Sequence, residues 1–129
     1  PDLRDPTPTP VVTVSPEGAT EITVYMQAPN GDWQSGLAIV RAVGESTEVS
    51  ISIKPPQPNA QPAHIHSGSC TVKVDKVVAK LQDVVAGEST TLVPMPLSLF
   101  TTGNHLVMVH LSANDFPTYT ACGDLPAVP

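Results

Sequence analysis

Histidine is the residue type in this chain best suited to hold a metal ion, and four histidines occur, at positions 64, 66, 105 and 110. His64 and His66 are two residues apart, and residues two apart in a β-strand point to the same side of the sheet. Their imidazoles could therefore reach one ion, and neutral imidazole is a good ligand for copper and zinc. The other interpretation of this His-x-His pattern is a polar, solvent-exposed face beside a buried Ile65.

The third candidate ligand, His110, lies in the most apolar run of the chain, residues 106–111. If this run is a strand, His110 shares a face with Met108, whereas Val109 points to the opposite side, toward the core. His105 is an odd number of residues from His110, so it would point to the opposite face of the strand (the opposite parity), and it follows a Gly-Asn turn signal. We therefore expect His110 to join the site and His105 to be a turn residue. Met108 is either a soft ligand near the metal or a packing residue.

The elements that would position these side chains are short β-strands. Fifteen prolines disfavour helices, and the frequent Val, Ile and Thr suit a pleated surface. Alternating polar and apolar residues predict an antiparallel meander of three strands at 21–27, 36–43 and 47–54. Residues 72–81 fit either a strand or a short helix. Seven to eight short strands in all predict an all-β sandwich or flattened barrel.

The length of 129 residues corresponds to one domain. We expect this domain to cover residues 15–129 and residues 1–14 to be a Pro/Thr-rich linker. Such a linker could tether the domain to a surface or to a protein partner, and a flexible terminus without a role is the alternative. The chain begins at Pro1 without a methionine, which indicates a processed or trimmed chain.

The charge balance excludes one class of function. The net charge is −6 with six basic residues in total, whereas a nucleic-acid-binding protein normally carries a basic patch. Three of the lysines, Lys73, Lys76 and Lys80, nevertheless follow one another closely, and ordinary solvated lysines are the alternative to a functional cluster. No run approaches the roughly 20 apolar residues of a membrane span.

The two cysteines, Cys70 and Cys122, are far apart in the sequence and form no Cys-x-x-Cys pair. In a secreted β domain this pattern predicts one disulfide, and hence an extracytoplasmic location. Two free buried thiols in a cytosolic protein are the alternative.

Two segments together resemble Cu/Zn superoxide dismutases. Residues 106–125, LVMVHLSANDFPTYTACGDL, are similar to the C-terminal signature of that family, in which a Val-His strand is followed by an Asp-containing loop and an Ala-Cys-Gly step. Residues 63–70, AHIHSGSC, resemble the His-Val-His strand that precedes the family's first disulfide cysteine. The resemblance implies a Greek-key fold, a Cys70–Cys122 disulfide, superoxide or another small anion as substrate, and copper ligands at His64, His66 and His110.

The chain also departs from the dismutase pattern. No histidine follows soon after Cys70 to bridge two metals, and the histidines of the family's zinc site are missing, so we predict copper without zinc. The position of the family's active-site arginine holds Tyr119. We expect Tyr119 beside the metal site, and Asp115 or Asp124 are candidates to orient a ligating imidazole from behind.

A second resemblance is to CHRD (chordin-type) domains, which are extracellular and β-rich. It rests on the His-Ile-His-x-Gly strand, the Val-Val-x-x-Leu run and the strand that ends in Val-His. This resemblance implies the same fold and an alternative function, a non-catalytic binding or structural module. Trp33, which follows an Asn-Gly-Asp turn, is a contact residue of such a module or a side chain folded back on the sheet.

Overall fold

The computed structural model describes residues 8–28 and 34–128, except the side chains of residues 115–117. Residues 1–7 of the predicted linker lie outside these described residues, and so does Trp33, for which a contact role and a side chain folded back on the sheet were both open. Within them no helix is long and apolar enough to cross a membrane.

The described chain consists of β-strands and one short 3-10 helix at Leu97–Leu99, as its prolines and branched residues predict. The strands are β1 (Val11–Val14), β2 (Thr20–Met26), β3 (Ser35–Val43), β4 (Ser46–Lys54), β5 (Ala63–Gly68), β6 (Val74–Lys80), β7 (Glu88–Val93), β8 (His105–Ser112) and β9 (Asp115–Leu125). The predicted meander at 21–27, 36–43 and 47–54 is therefore confirmed as β2, β3 and β4. Residues 72–81 contain a strand, β6, rather than a helix.

The strands form two antiparallel sheets, one in the order β1-β2-β3-β4-β7 and one in the order β6-β5-β8-β9. The chain crosses between the sheets after β4, after β6 and after β7. These crossings leave β7 beside β4 and β8 beside β5, which is the Greek-key arrangement of a β-sandwich.

The described part of the chain contains nine strands, one more than the upper number predicted, and the additional strand is β1. Val11–Val14 pair with Thr20–Thr23 of β2, although they belong to the segment predicted as linker. All four residues of β1 are exposed. A run without buried side chains gives no period-two signal, so composition alone marked it as linker.

The main core lies between the sheets and is formed by alternate residues of the strands other than β1. Its largest members include Ile22, Ile51, Ile65 and Phe100, all fully buried. The opposite residues of β5 and β8 lie on the outer face of the four-stranded sheet. This outer face carries the histidines.

Candidate metal centre

Strand β5 delivers two histidines to one place because its side chains alternate. Ile65 is fully buried in the core between the sheets, so His64 and His66 project from the other face, as predicted. They are nonetheless largely covered, with 8% and 6% of their surface exposed. The prediction of a solvent-exposed polar face is therefore wrong, and the His-x-His pair lies in a buried polar cluster.

Strand β8 brings the third histidine to the pair. It lies antiparallel to β5 with Met108 opposite His64, so that His110 comes next along the chain on the same face. The backbone N–H of His110 donates to the carbonyl of Pro62 at 2.9 Å, which extends the pairing beyond the end of β5. His110 is 4% exposed.

The three imidazoles are in mutual contact. Nδ1 of His64 lies 3.0 Å from Nε2 of His110, and one of these nitrogens donates a hydrogen bond to the other. The ring centres of His64 and His110 are 5.0 Å apart, and His66 lies 5.5 Å from the first and 5.7 Å from the second. One ligand nitrogen from each residue lies within 4.8 Å of the other two. The group could therefore hold a metal ion.

His66 is oriented by a backbone carbonyl. Its Nδ1 lies 3.2 Å from the carbonyl oxygen of Asp75, which can only accept, so Nδ1 must donate. In the neutral ring the lone pair then resides on Nε2. This Nε2 is buried and has no hydrogen-bond partner. Buried polar atoms nearly always have a partner, so an orphaned lone pair among three imidazoles fits the role of a metal ligand.

The electrostatics keep His64 in the form that binds metals. Burial is the largest cause that lowers the pKa of His64 from 6.5 to about 4; unfavourable electrostatic interactions of its charged form with His110, His66 and Lys80 lower it further, and Asp83 opposes them. Its imidazole is therefore neutral at pH 7, and a neutral ring keeps a lone pair for coordination.

A β-bulge in β9 places an aromatic ring beside the site. Val109 pairs with Ala121 but His110 pairs with Tyr119, so Thr120 is the extra residue. Without the bulge, Tyr119 would lie on the core side. With it, the rings of Tyr119 and His110 meet edge to face with centres 5.5 Å apart. Tyr119 thus lies next to a predicted ligand, as expected.

The other residues predicted near the metal have different neighbours. Asp124 accepts a hydrogen bond from the backbone N–H of Cys70 at 2.9 Å, and so supports the disulfide loop. Met108 is fully buried in a small apolar cluster with Leu106 and Cys122. The side chain of Asp115 lies outside the described part of the structure.

His105 lies apart from the three clustered histidines, as its parity predicted. It is the first residue of β8 and follows the Gly-Asn turn. Its Nδ1 lies 3.0 Å from Oγ1 of Thr102, and its ring meets that of Phe100 edge to face. Burial lowers the pKa of His105.

The predicted disulfide joins Cys70 to Cys122. It ties the segment between β5 and β6 to β9, over the outer face of the four-stranded sheet. This segment leads directly into Asp75, whose carbonyl orients His66. The disulfide and the histidine group are therefore neighbours on one face.

The lysine cluster lies along one edge of the same sheet. Lys76 and Lys80 belong to β6, the edge strand, and Lys73 precedes it; all three are exposed. Lys80 pairs with His64 across the ladder, and its charge contributes to the lowered pKa of that histidine. Positive charge is therefore present beside the histidines of an acidic chain.

Three contacts at the site carry no signal in the sequence. They are the carbonyl of Asp75, the bulge at Thr120 and a buried amide pair formed by Gln34 and Gln61. Each depends on how segments pair in the folded protein, and the two glutamines are 27 residues apart, so pattern and parity could not reveal these features.

The donor set suits a transition metal, because three imidazole nitrogens are typical ligands for copper and zinc. Two nitrogens bound side by side to an ion at about 2 Å lie about 3 Å apart. The separation of 3.0 Å between His64 and His110 meets this requirement.

Comparisons with protein-family models, with curated proteins and with solved structures each find no match to this chain.

Proposed function

We propose that this protein is an extracytoplasmic copper-binding protein in which His64, His66 and His110 hold one copper ion. The observation that carries the proposal is the buried cluster of three imidazoles, whose ligand nitrogens all lie within 4.8 Å of one another. The unpartnered Nε2 of His66 supports it, because burying that atom without a partner costs free energy that a bound ion would offset.

Copper is favoured over zinc because a site built of nitrogen ligands generally binds Cu²⁺ more tightly than Zn²⁺. Among the described residues the metal-ligating group has three members, all of them histidines. The resemblance of segments 63–70 and 106–125 to copper-binding strands of Cu/Zn superoxide dismutases points the same way.

The chain's own residues would provide a rigid and preorganised site. Strands β5 and β8 fix the imidazoles in one ladder, and the carbonyl of Asp75 holds His66 with Nε2 toward the cluster. Tyr119 packs against His110 and limits the approach of solvent on that side. A bound copper ion would supply one-electron chemistry.

Superoxide is the substrate that the resemblance implies, and we expect its turnover to be slow. The charge beside the site is mixed, because Lys80 and Asp83 act in opposite directions on His64. The whole chain carries a net charge of −6, which repels an anion at long range. Tyr119 stands where the family has its arginine.

The proposed location rests on the disulfide. Disulfides persist in oxidising compartments and are rare in the cytosol of most organisms. The Cys70–Cys122 bond is therefore compatible with a protein that works outside the cytoplasm.

The test is a titration of the metal-free, oxidised protein with Cu²⁺, followed by electron paramagnetic resonance. We expect one tightly bound equivalent with nitrogen hyperfine structure, lost in His110→Ala. His105→Ala is the matched control, because it removes a histidine from the same strand but outside the cluster. A competition with Zn²⁺ measures metal preference, and a superoxide assay of the loaded protein measures turnover.

Weak, non-stoichiometric binding that is the same in both variants would overturn the proposal. The search would then turn to protein partners, as the CHRD resemblance suggests.

A further inference from the structure

A buried pair of glutamine side chains lies between the sheets, close to the backbone of His110. Gln34 precedes β3 and Gln61 precedes β5, and they are 3% and 1% exposed. Each amide donates to the other: Nε2 of Gln34 to Oε1 of Gln61 at 3.0 Å, and Nε2 of Gln61 to Oε1 of Gln34 at 2.8 Å. In such a reciprocal pair the orientation of one amide dictates the orientation of the other.

The remaining donors of the pair reach both sheets. Nε2 of Gln34 donates to the carbonyl of Pro55 at 2.8 Å, at the end of β4. Nε2 of Gln61 donates to the carbonyl of His110 and to Oγ1 of Thr120, each at 3.2 Å. The carbonyls of Pro55 and His110 can only accept, so the amide nitrogens must face them.

The contact with His110 occurs where the ladder is interrupted. The bulge at Thr120 breaks the regular pairing between β8 and β9 next to His110. Gln61 gives the His110 carbonyl a side-chain donor at this point, and the neighbouring Pro62 carbonyl accepts the His110 N–H. The backbone of His110 is therefore held at both its N–H and its C=O by the two residues that lead into the His-x-His strand.

We infer that Gln61, braced by Gln34, is a positioning residue that sets the orientation of the His110 imidazole relative to His64 and His66. This inference rests on the proposed metal site. A backbone held at both polar groups has little freedom to rotate, so the side chain that it carries starts from a fixed direction. Partners that hydrogen-bond a ligating side chain typically change metal affinity about 10-fold to 100-fold when removed, and Gln61, which acts through the backbone of His110, should lie at the lower end of this range.

The test compares Gln61→Met with Thr47→Val. Methionine keeps the length and volume of glutamine but removes both donors. Thr47 is equally buried and donates to the carbonyl of Met95 at 2.8 Å, so Thr47→Val removes one buried hydrogen bond that involves none of the clustered histidines. Copper affinity is measured by competition with a chelator, and the bound spectrum by electron paramagnetic resonance.

We expect Gln61→Met to weaken copper binding about 10-fold or more and to change the nitrogen hyperfine pattern. Gln34→Met keeps Gln61 but removes the amide that holds it. This variant should change the copper affinity and the hyperfine pattern in the same direction as Gln61→Met, by a smaller amount. Thr47→Val should lose stability but keep the affinity and the spectrum. Equal affinities and spectra for Gln61→Met and the wild type would overturn the inference.

A second readout needs no metal. In the metal-free protein, nitrogen NMR of the imidazoles reports the hydrogen bond between Nδ1 of His64 and Nε2 of His110. Gln61→Met should alter these signals, and unchanged signals would contradict the positioning role. If the wild type fails to bind copper but Gln61→Met still alters the imidazole signals, the proposed function fails and the positioning role stands. If Gln61→Met does not fold, the copper affinity and the imidazole signals of Gln34→Met and Thr120→Val are compared with those of the wild type instead.

Discussion

Acidification of the metal-free protein should weaken its fold through His64. Burial is the largest cause that lowers the pKa of this ring, from 6.5 to about 4. The unfolded chain therefore takes up a proton at this ring between about pH 6.5 and pH 4, whereas the folded chain does not. For a pKa that is depressed in the folded state, the stabilisation is complete above the unfolded pKa and is lost as the pH falls toward the folded pKa.

The size of this effect follows from the two pKa values. Their difference, 6.5 against about 4, corresponds to about 3 kcal/mol in the free energy of unfolding. The ring keeps 8% of its surface exposed, and screening by solvent reduces the figure. We expect a loss of about 2 kcal/mol between about pH 7 and pH 4 that belongs to His64 alone.

The assay is urea unfolding at a series of pH values, with a chelator present, for the wild type and for His64→Gln. Carboxylates titrate in both proteins, so the difference between the two pH profiles isolates the imidazole. The wild type should lose more stability than the variant as the pH falls. Parallel profiles through this range would refute the reasoning and would mean that water reaches the ring in the folded protein.

Three other perturbations have expected outcomes. Replacing Cys70 and Cys122 by alanine opens a loop with a sequence separation of 52 residues, which should cost about 2–4 kcal/mol in urea unfolding; a loss below about 1 kcal/mol would contradict this. Gly123→Ala would place a Cβ 2.5 Å from Cγ1 of Val24, so calorimetry should show a lower melting temperature, with a loss of about 1–3 kcal/mol. Cu²⁺ at about 100 times its Kd should raise the free energy of unfolding by about 2.7 kcal/mol, and His66→Ala should abolish this gain; an equal gain in the variant would remove His66 from the ligand set.

Much of the fold follows from the alternation of polar and apolar residues in the sequence. The alternation in β2, β3 and β4 marks strands with one buried face, and the structure confirms them. The same parity placed His64, His66 and His110 on one face. It could not identify β1, whose four residues are all exposed. It also left β6 ambiguous, because a bulge interrupts its pairing with β5 between Ile65 and His66.

The parts of the site that parity missed are a β-bulge and a contact between distant segments. The bulge at Thr120 brings Tyr119 to the face of His110, and no local pattern marks a bulge in that stretch. Gln34 and Gln61 are 27 residues apart, and neither has a distinctive neighbourhood in the sequence. Their pairing follows from how the two sheets stack, which is a property of the whole sandwich.

The separation of the histidines along the chain has a consequence for the order of events in biogenesis. His64 and His110 are 46 residues apart, and they meet only when β5 and β8 have paired. A nascent or unfolded chain offers an ion the His-x-His pair alone, which is a weaker chelate than three imidazoles. Tight metal uptake would therefore report completed tertiary structure, and a cell that loads this protein would have to do so after it has folded.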